Sequence, residues 1–125
     1  MAVNPRDFVK FANDLFQANY KSSTCEIQLR TAINRAYYGA FLTARNYAGI
    51  NNSSGSIHNE VISYYQNQNI GKVGNSLDSL KRLRQKADYE PDKVIAITDA
   101  RTSCRNAKIV LEEIDRLAKA KFKQS

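Results

Sequence analysis

The chain has 125 residues, of which 42% are hydrophobic and 25% charged, and its net charge at pH 7 is +7. This balance is typical of one globular domain and excludes a disordered chain. The apolar runs are too short to span a bilayer and the N-terminus lacks a leader-like stretch, so we expect a cytoplasmic protein without membrane segments. The excess of positive charge favours RNA, DNA or an acidic protein as partner, although a basic surface also serves solubility.

Two helices are predicted in the first part of the chain. Asn4 followed by Pro5 marks a helix start, and apolar residues then recur at three- and four-residue spacing over 5–20. A capping box and a closing glycine bound the second helix, over 23–48. One face of this helix carries small residues that would let a neighbouring helix approach closely. They are Ala36, Gly39, Ala40 and Ala44.

Three further helices are predicted in the second part of the chain. A polar loop at 50–55 precedes a short helix from about Ser56 to Gln68. After a turn at 67–74, spaced leucines indicate a helix that ends near Tyr89, before a proline. The last helix, from about 92 to 121, shows the strict three-four alternation of apolar residues that a bundle contact needs. No segment has the period-two pattern of a strand.

These elements predict an all-α fold with a single domain over residues 1–125. Short loops between long helices make successive helices pack antiparallel, so we expect an up-and-down bundle of four or five helices. The small residues of the second helix and the long apolar seam of the last exceed what a lone four-helix core of this length would use. A homodimer is therefore predicted.

The usual motifs of metal- and cofactor-dependent enzymes are not found in this sequence. It has a single histidine, no glycine-rich phosphate loop and no paired cysteines, so we predict neither a metal nor a cofactor. Cys25 and Cys104 are expected to be free thiols packed as small apolar side chains. An unperturbed histidine titrates near neutral pH, so His58 suits either an acid–base role or a structural hydrogen bond.

Two local clusters are candidates for ligand binding. Residues 35–41, with Arg35 and Tyr38, could stack on and hydrogen-bond a nucleotide, or could be core aromatics beside an arginine that pairs with a carboxylate. Residues 81–86 place four cations in six positions, just before Asp88 and Tyr89. Such a ridge attracts phosphate, although it is also typical of a solvated helix face.

Three segments together resemble the HEPN family (higher eukaryotes and prokaryotes nucleotide-binding). Residues 34–45 are similar to its signature helix, and residues 56–61 to the start of its next helix. Residues 82–90 resemble the Arg-rich, Ala-Asp-Tyr ending of one branch, and the likeness covers most of the domain. The resemblance implies a dimerising four- or five-helix bundle. It also implies a minimal nucleotidyltransferase as partner, in a toxin–antitoxin or defence pair.

Catalytic members of that family are metal-independent RNases with an Arg-x4-6-His motif. Their arginine stabilises the charge of the phosphorane, and their histidine moves protons. In this sequence Arg84 can take the arginine's place, but Tyr89 stands where the histidine is expected. His58 has no arginine four to seven positions before it. A phenol is a poor base at neutral pH, and the carboxylate of Asp88 is a weak one.

The leading hypothesis is a HEPN-type component that binds RNA or a nucleotide together with a nucleotidyltransferase partner. One alternative is a metal-independent endoribonuclease in which Arg84 acts with Asp88 or Tyr89. Another is a helical interaction module that docks an acidic protein and no nucleic acid. The candidate site residues are Arg84, Asp88 and Tyr89 for chemistry, and Arg35, Tyr38, Lys81, Arg82 and Lys86 for nucleotide or RNA binding.

Overall fold

The computed structural model describes residues 3–18, 22–51 and 55–124, with the backbone alone for 22–24 and 122–124. The described residues contain no strand, which confirms the all-α prediction. None of the described helices is long and apolar enough to cross a membrane. The helices are α1 (Pro5–Gln17), α2 (Ser22–Ala48), α3 (Ile57–Asn67), α4 (Gly71–Tyr89) and α5 (Ile97–Gln124).

Local chemistry fixes three helix ends where the sequence predicted them. The side chain of Asn4 accepts a hydrogen bond from the amide of Arg6 at 3.0 Å, so α1 begins at the following proline. The hydroxyl of Ser56 accepts from the amide of Asn59 at 3.3 Å and caps α3. Gly49 takes a φ of 73°, a left-handed conformation that ends α2.

Other predicted boundaries are wrong. The first helix ends at Gln17, before the predicted residue 20, and residues 19–21 lie outside the described part of the chain. The side chain of Ser23, the predicted cap of α2, is also outside it. The turn predicted over 67–74 is too long, because α4 already begins at Gly71. The expected packing of both thiols is wrong for Cys25, which is exposed, whereas Cys104 is partly buried.

The last helix begins at Ile97 and not near residue 92. The amide of Ile95 donates to the carboxylate of Glu26 at 3.3 Å, and the amide of Ala96 donates to the carboxylate of Asp99 at 3.0 Å. These amides therefore bond to side chains. The second bond is the half of a capping box in which the third helical residue reaches back to the cap. The preceding segment is held against α2.

The core is built around α2, which contacts all four other helices. Each helix also contacts the next one along the chain, as expected for a bundle. The small residues of α2 and the middle of the α5 seam are buried within this one chain, whereas Ile97 and Ala118 at the two ends of the seam are exposed. Much of the packing that suggested a dimer is therefore used internally. The homodimer stays a prediction. The fully buried members of these two sets are Ala36, Ala40, Ala44, Ala100 and Ala107.

Gly39 is a point at which α1 packs closely on α2. A Cβ added there would lie 2.5 Å from Cγ2 of Val9 and 2.8 Å from the carbonyl oxygen of Pro5. We expect Gly39→Val to lower the free energy of unfolding by about 2 kcal/mol, because overpacking of a close contact costs about 1–3 kcal/mol. Urea unfolding followed by circular dichroism measures the loss. The matched control is Gly71→Val, where no atom lies within 4 Å, and equal effects would contradict the assignment.

Candidate functional site

Arg84 lies near the end of α4 on the side that faces α2, and only 8% of it is exposed. Its guanidinium carbon is 5.0 Å from the ring centre of Tyr37, 5.6 Å from that of Tyr38 and 5.5 Å from that of Tyr89. Aromatic faces attract a cation, and they do so more strongly where water is excluded. The guanidinium is therefore held among three phenol rings.

The hydrogen-bonding capacity of Arg84 is only partly used. Its Nη1 is 3.7 Å from a carboxylate oxygen of Asp88 and 3.5 Å from the hydroxyl of Tyr38, and both contacts are long. Its Nε is buried and has no hydrogen-bond partner among the described residues. The same Asp88 oxygen accepts a hydrogen bond from Asn34 at 2.9 Å. Buried guanidinium groups are normally fully paired, so Arg84 is an exception that needs an explanation.

The single histidine of the chain belongs to the same cluster. Nδ1 of His58 is hydrogen-bonded to the hydroxyl of Tyr37, and its ring packs on that of Phe41 with centroids 4.5 Å apart and ring planes tilted by 33°. Burial raises the pKa of Tyr37, so this phenol keeps its proton. Burial lowers the pKa of His58, and the positive charges of Arg84 and Lys81 lower it further. An arginine and a neutral histidine thus contact one tyrosine.

We define the Arg84 cluster as the side chains joined by these contacts. They are Asn34, Tyr37, Tyr38, His58, Arg84, Asp88 and Tyr89.

A cleft of about 260 Å³ adjoins the Arg84 cluster between α2 and α4. Asn34 and Asp88 line this cleft, and they are also members of the cluster. Arg35 lines it as well, with its guanidinium carbon 5.8 Å from the ring centre of Phe8. The cleft therefore places a further positive charge beside the Asp88 carboxylate, and its volume suits a group somewhat smaller than a drug-sized ligand.

Arg30 also lines this cleft, and it holds the end of α4 in place. Its Nη1 donates to the carbonyl oxygens of Lys86 at 3.2 Å and Ala87 at 2.8 Å, and to that of Glu90 at 3.3 Å. The carbonyls of Lys86 and Glu90 also accept from the backbone amides of Glu90 and Lys93, so Arg30 adds side-chain hydrogen bonds to those that close this helix end. Sequence reasoning did not single out Arg30, and no local signal marks it, because these partners lie 56 or more positions away.

The cations predicted to form one ridge on α4 separate onto two faces. Lys81 donates to the side chain of Asn59 at 2.6 Å, next to His58. Arg82 is paired with Asp78 at 3.0 Å, and its side chain is 77% exposed. Lys86 lies 3.4 Å from Asp99 at the start of α5. Four of the predicted site residues come together in the structure: Arg84, Asp88, Tyr89 and Tyr38. Lys81 and Arg35 lie beside them. Arg82 and Lys86 lie on the side of α4 that faces α5.

Comparisons of the chain with protein-family models, with curated proteins and with solved structures give no match. The function is therefore inferred from the chemistry of the Arg84 cluster. The resemblance of three sequence segments to HEPN proteins supplies only an expectation for it.

Proposed function

We propose that this protein is a HEPN-type component that binds RNA or a nucleotide, with Arg84 as its phosphate-binding centre. It would act in the cytoplasm with a minimal nucleotidyltransferase partner, as one half of a toxin–antitoxin or defence pair. The observation that carries the proposal is the buried guanidinium of Arg84, whose Nε has no partner and whose ionic contact to Asp88 is 3.7 Å long. A phosphate group offers oxygen atoms that can accept hydrogen bonds from this guanidinium group.

The surroundings of Arg84 also suit a nucleotide. The ring of Tyr89 is 67% exposed beside the guanidinium, and an exposed phenol is a surface on which a base can stack. Lys81 and Arg35 flank the cluster with positive charge. The net charge of +7 favours association with a polyanion before any specific contact forms.

One observation favours a second candidate, a metal-independent endoribonuclease. His58 contacts the same tyrosine as Arg84, so an arginine and a histidine do meet in this fold, although on different helices. In such an enzyme Arg84 would stabilise the charge of the transition state, and His58 would move the proton in place of Asp88 or Tyr89.

The test is binding of a fluorescent single-stranded RNA in the presence of EDTA, with the reactions then analysed on a gel. We expect Arg84→Ala to weaken binding by about 10- to 100-fold, since hydrogen bonds to a charged group are worth about 1.5–3 kcal/mol. The matched control is Arg82→Ala, two positions away on the exposed face, which should change binding by less than about threefold.

The gel separates the candidate functions. Bound but intact RNA supports a binding component, and cleavage that survives EDTA and vanishes in Arg84→Ala supports the endoribonuclease. Equal RNA binding by Arg84→Ala and Arg82→Ala would show that Arg84 is not the phosphate-binding centre. A folded wild-type protein that neither binds nor cleaves RNA or nucleotides would contradict both, and would leave the module that docks an acidic protein.

A further inference from the structure

Three groups able to carry positive charge converge where α3 meets α4. Lys81 and Arg84 are one helical turn apart on α4 and so share a face. Lys81 donates to Asn59, the residue after His58, and Arg84 rests on Tyr37, whose hydroxyl bonds to His58. His58 is also the second residue of α3, where the helix dipole is positive.

We propose that His58 is a further phosphate-binding residue of the Arg84 site, and that binding of a phosphodiester makes its imidazole take up a proton. This inference rests on the proposed function. Since Tyr37 occupies Nδ1, the other ring nitrogen has no partner among the described residues and is available to donate to a phosphate oxygen. The imidazole is only partly buried, so a ligand can reach it.

The charges around His58 explain why the proton arrives only with the ligand. Lys81 and Arg84 face it from α4, the protonated phenol of Tyr37 and the ring of Phe41 face it from α2, and no carboxylate contacts it among the described residues. Burial and the two cations lower the pKa of His58 in the empty site. A bound phosphate brings negative charge to the same place and favours the charged imidazole.

The sign of the pH dependence follows from this coupling. The ligand raises the pKa of His58, so protonation of His58 strengthens ligand binding. This gain in affinity is fully present below the pKa of His58 in the empty site, and it is lost as the pH rises through the pKa of His58 in the complex. A rise of one pKa unit on binding corresponds to about tenfold tighter binding in acid than in alkali.

The probe is an octamer of 2′-O-methyluridine with hydroxyl ends, which resists cleavage and keeps a constant charge between about pH 5.5 and pH 8. We expect the Kd of the wild-type protein to fall about tenfold from the alkaline to the acidic end of this range. The control variant is His58→Asn, whose amide can still bond to the Tyr37 hydroxyl but cannot become charged. Its Kd should be flat with pH and no tighter than that of the wild type in alkali, because the variant also lacks the ring N–H that donates to phosphate.

A second measurement needs no variant, because His58 is the single histidine of the chain. Its ring protons can be followed by NMR, and we expect their titration midpoint to rise by about one unit when the octamer is bound. An unchanged midpoint, or a pH dependence that persists in His58→Asn, would overturn the role of His58 and leave the proposed function intact. No binding of the octamer at any pH would overturn the role of His58, and the proposed function falls with it only if the fluorescent RNA and nucleotides also fail to bind.

Discussion

Replacing Arg84 by methionine is expected to weaken RNA binding at least about tenfold while leaving the fold as stable as the wild type, or more stable by up to about 2 kcal/mol. A buried charge without full pairing is often no better for stability than an apolar side chain of similar volume. Arg84 has an unpartnered Nε and a 3.7 Å contact to its carboxylate. The thioether of methionine can replace its packing against Tyr37 and Tyr38.

Asp88, the ionic partner of Arg84, should not make the methionine variant less stable. The side chain of Asp88 is 23% exposed and keeps its hydrogen bond from Asn34, so it is not stranded as an unpaired buried charge. Urea unfolding and RNA binding should be measured on the same samples, with Arg101→Met on the exposed face of α5 as control. A stability loss above about 2 kcal/mol would identify Arg84 as a structural residue.

The sequence predicted the fold wherever a helix end is decided by neighbouring residues. Asn4, Gly49 and Ser56 act through their own conformation or through bonds to amides two or three positions away, which a local pattern can reveal. The start of α5 combines a local bond, from the amide of Ala96 to Asp99, with a long-range contact in which Glu26 from α2 accepts the amide of Ile95 and holds the preceding segment. No pattern within residues 92–97 contains that information.

In the candidate site, too, local spacing predicts some of the contacts and long-range packing decides the others. Arg84, Asp88 and Tyr89 lie within two turns of one helix, so their proximity follows from helical spacing. The separation of the α4 cations also follows from it, because positions two apart lie about 200° apart around a helix, and Arg82 cannot share the face of Arg84. The four to seven positions before His58 hold no arginine, so the sequence pattern gives His58 no arginine partner. Its arginine comes from the following helix.

Arg84 is the arginine proposed to bind the ligand, and Arg30 is the arginine that holds the end of α4. The two roles can therefore be tested separately. Arg84 contributes acceptor-seeking N–H groups that the fold leaves unused. Arg30 contributes bonds to the backbone at the end of α4, in the turn that carries Asp88 and Tyr89. Substitution of the two arginines should therefore have opposite signatures in stability.

Replacing Arg30 by alanine is expected to lower the free energy of unfolding by about 2–4 kcal/mol, and Tm by about 10 °C. Its side chain is 15% exposed and donates to the carbonyl oxygens of Lys86, Ala87, Glu90, Pro91 and Lys93, so truncation removes several hydrogen bonds at once from the end of α4. The carbonyls of Lys86 and Glu90 keep their backbone partners. RNA binding should weaken as well, because Asp88 and Tyr89 lose their support.

The controls for Arg30 separate the effect of its several N–H donors from the effect of its positive charge. Arg30→Lys keeps the charge but cannot span several carbonyl oxygens at once, so it should recover less than half of the lost stability. Arg105→Ala removes an exposed arginine of α5 and should change stability by no more than about 0.5 kcal/mol. Thermal unfolding of the three variants measures these differences. Full recovery by lysine would show that charge near the helix terminus matters, and a near-neutral Arg30→Ala would show that α4 ends where it does without this arginine.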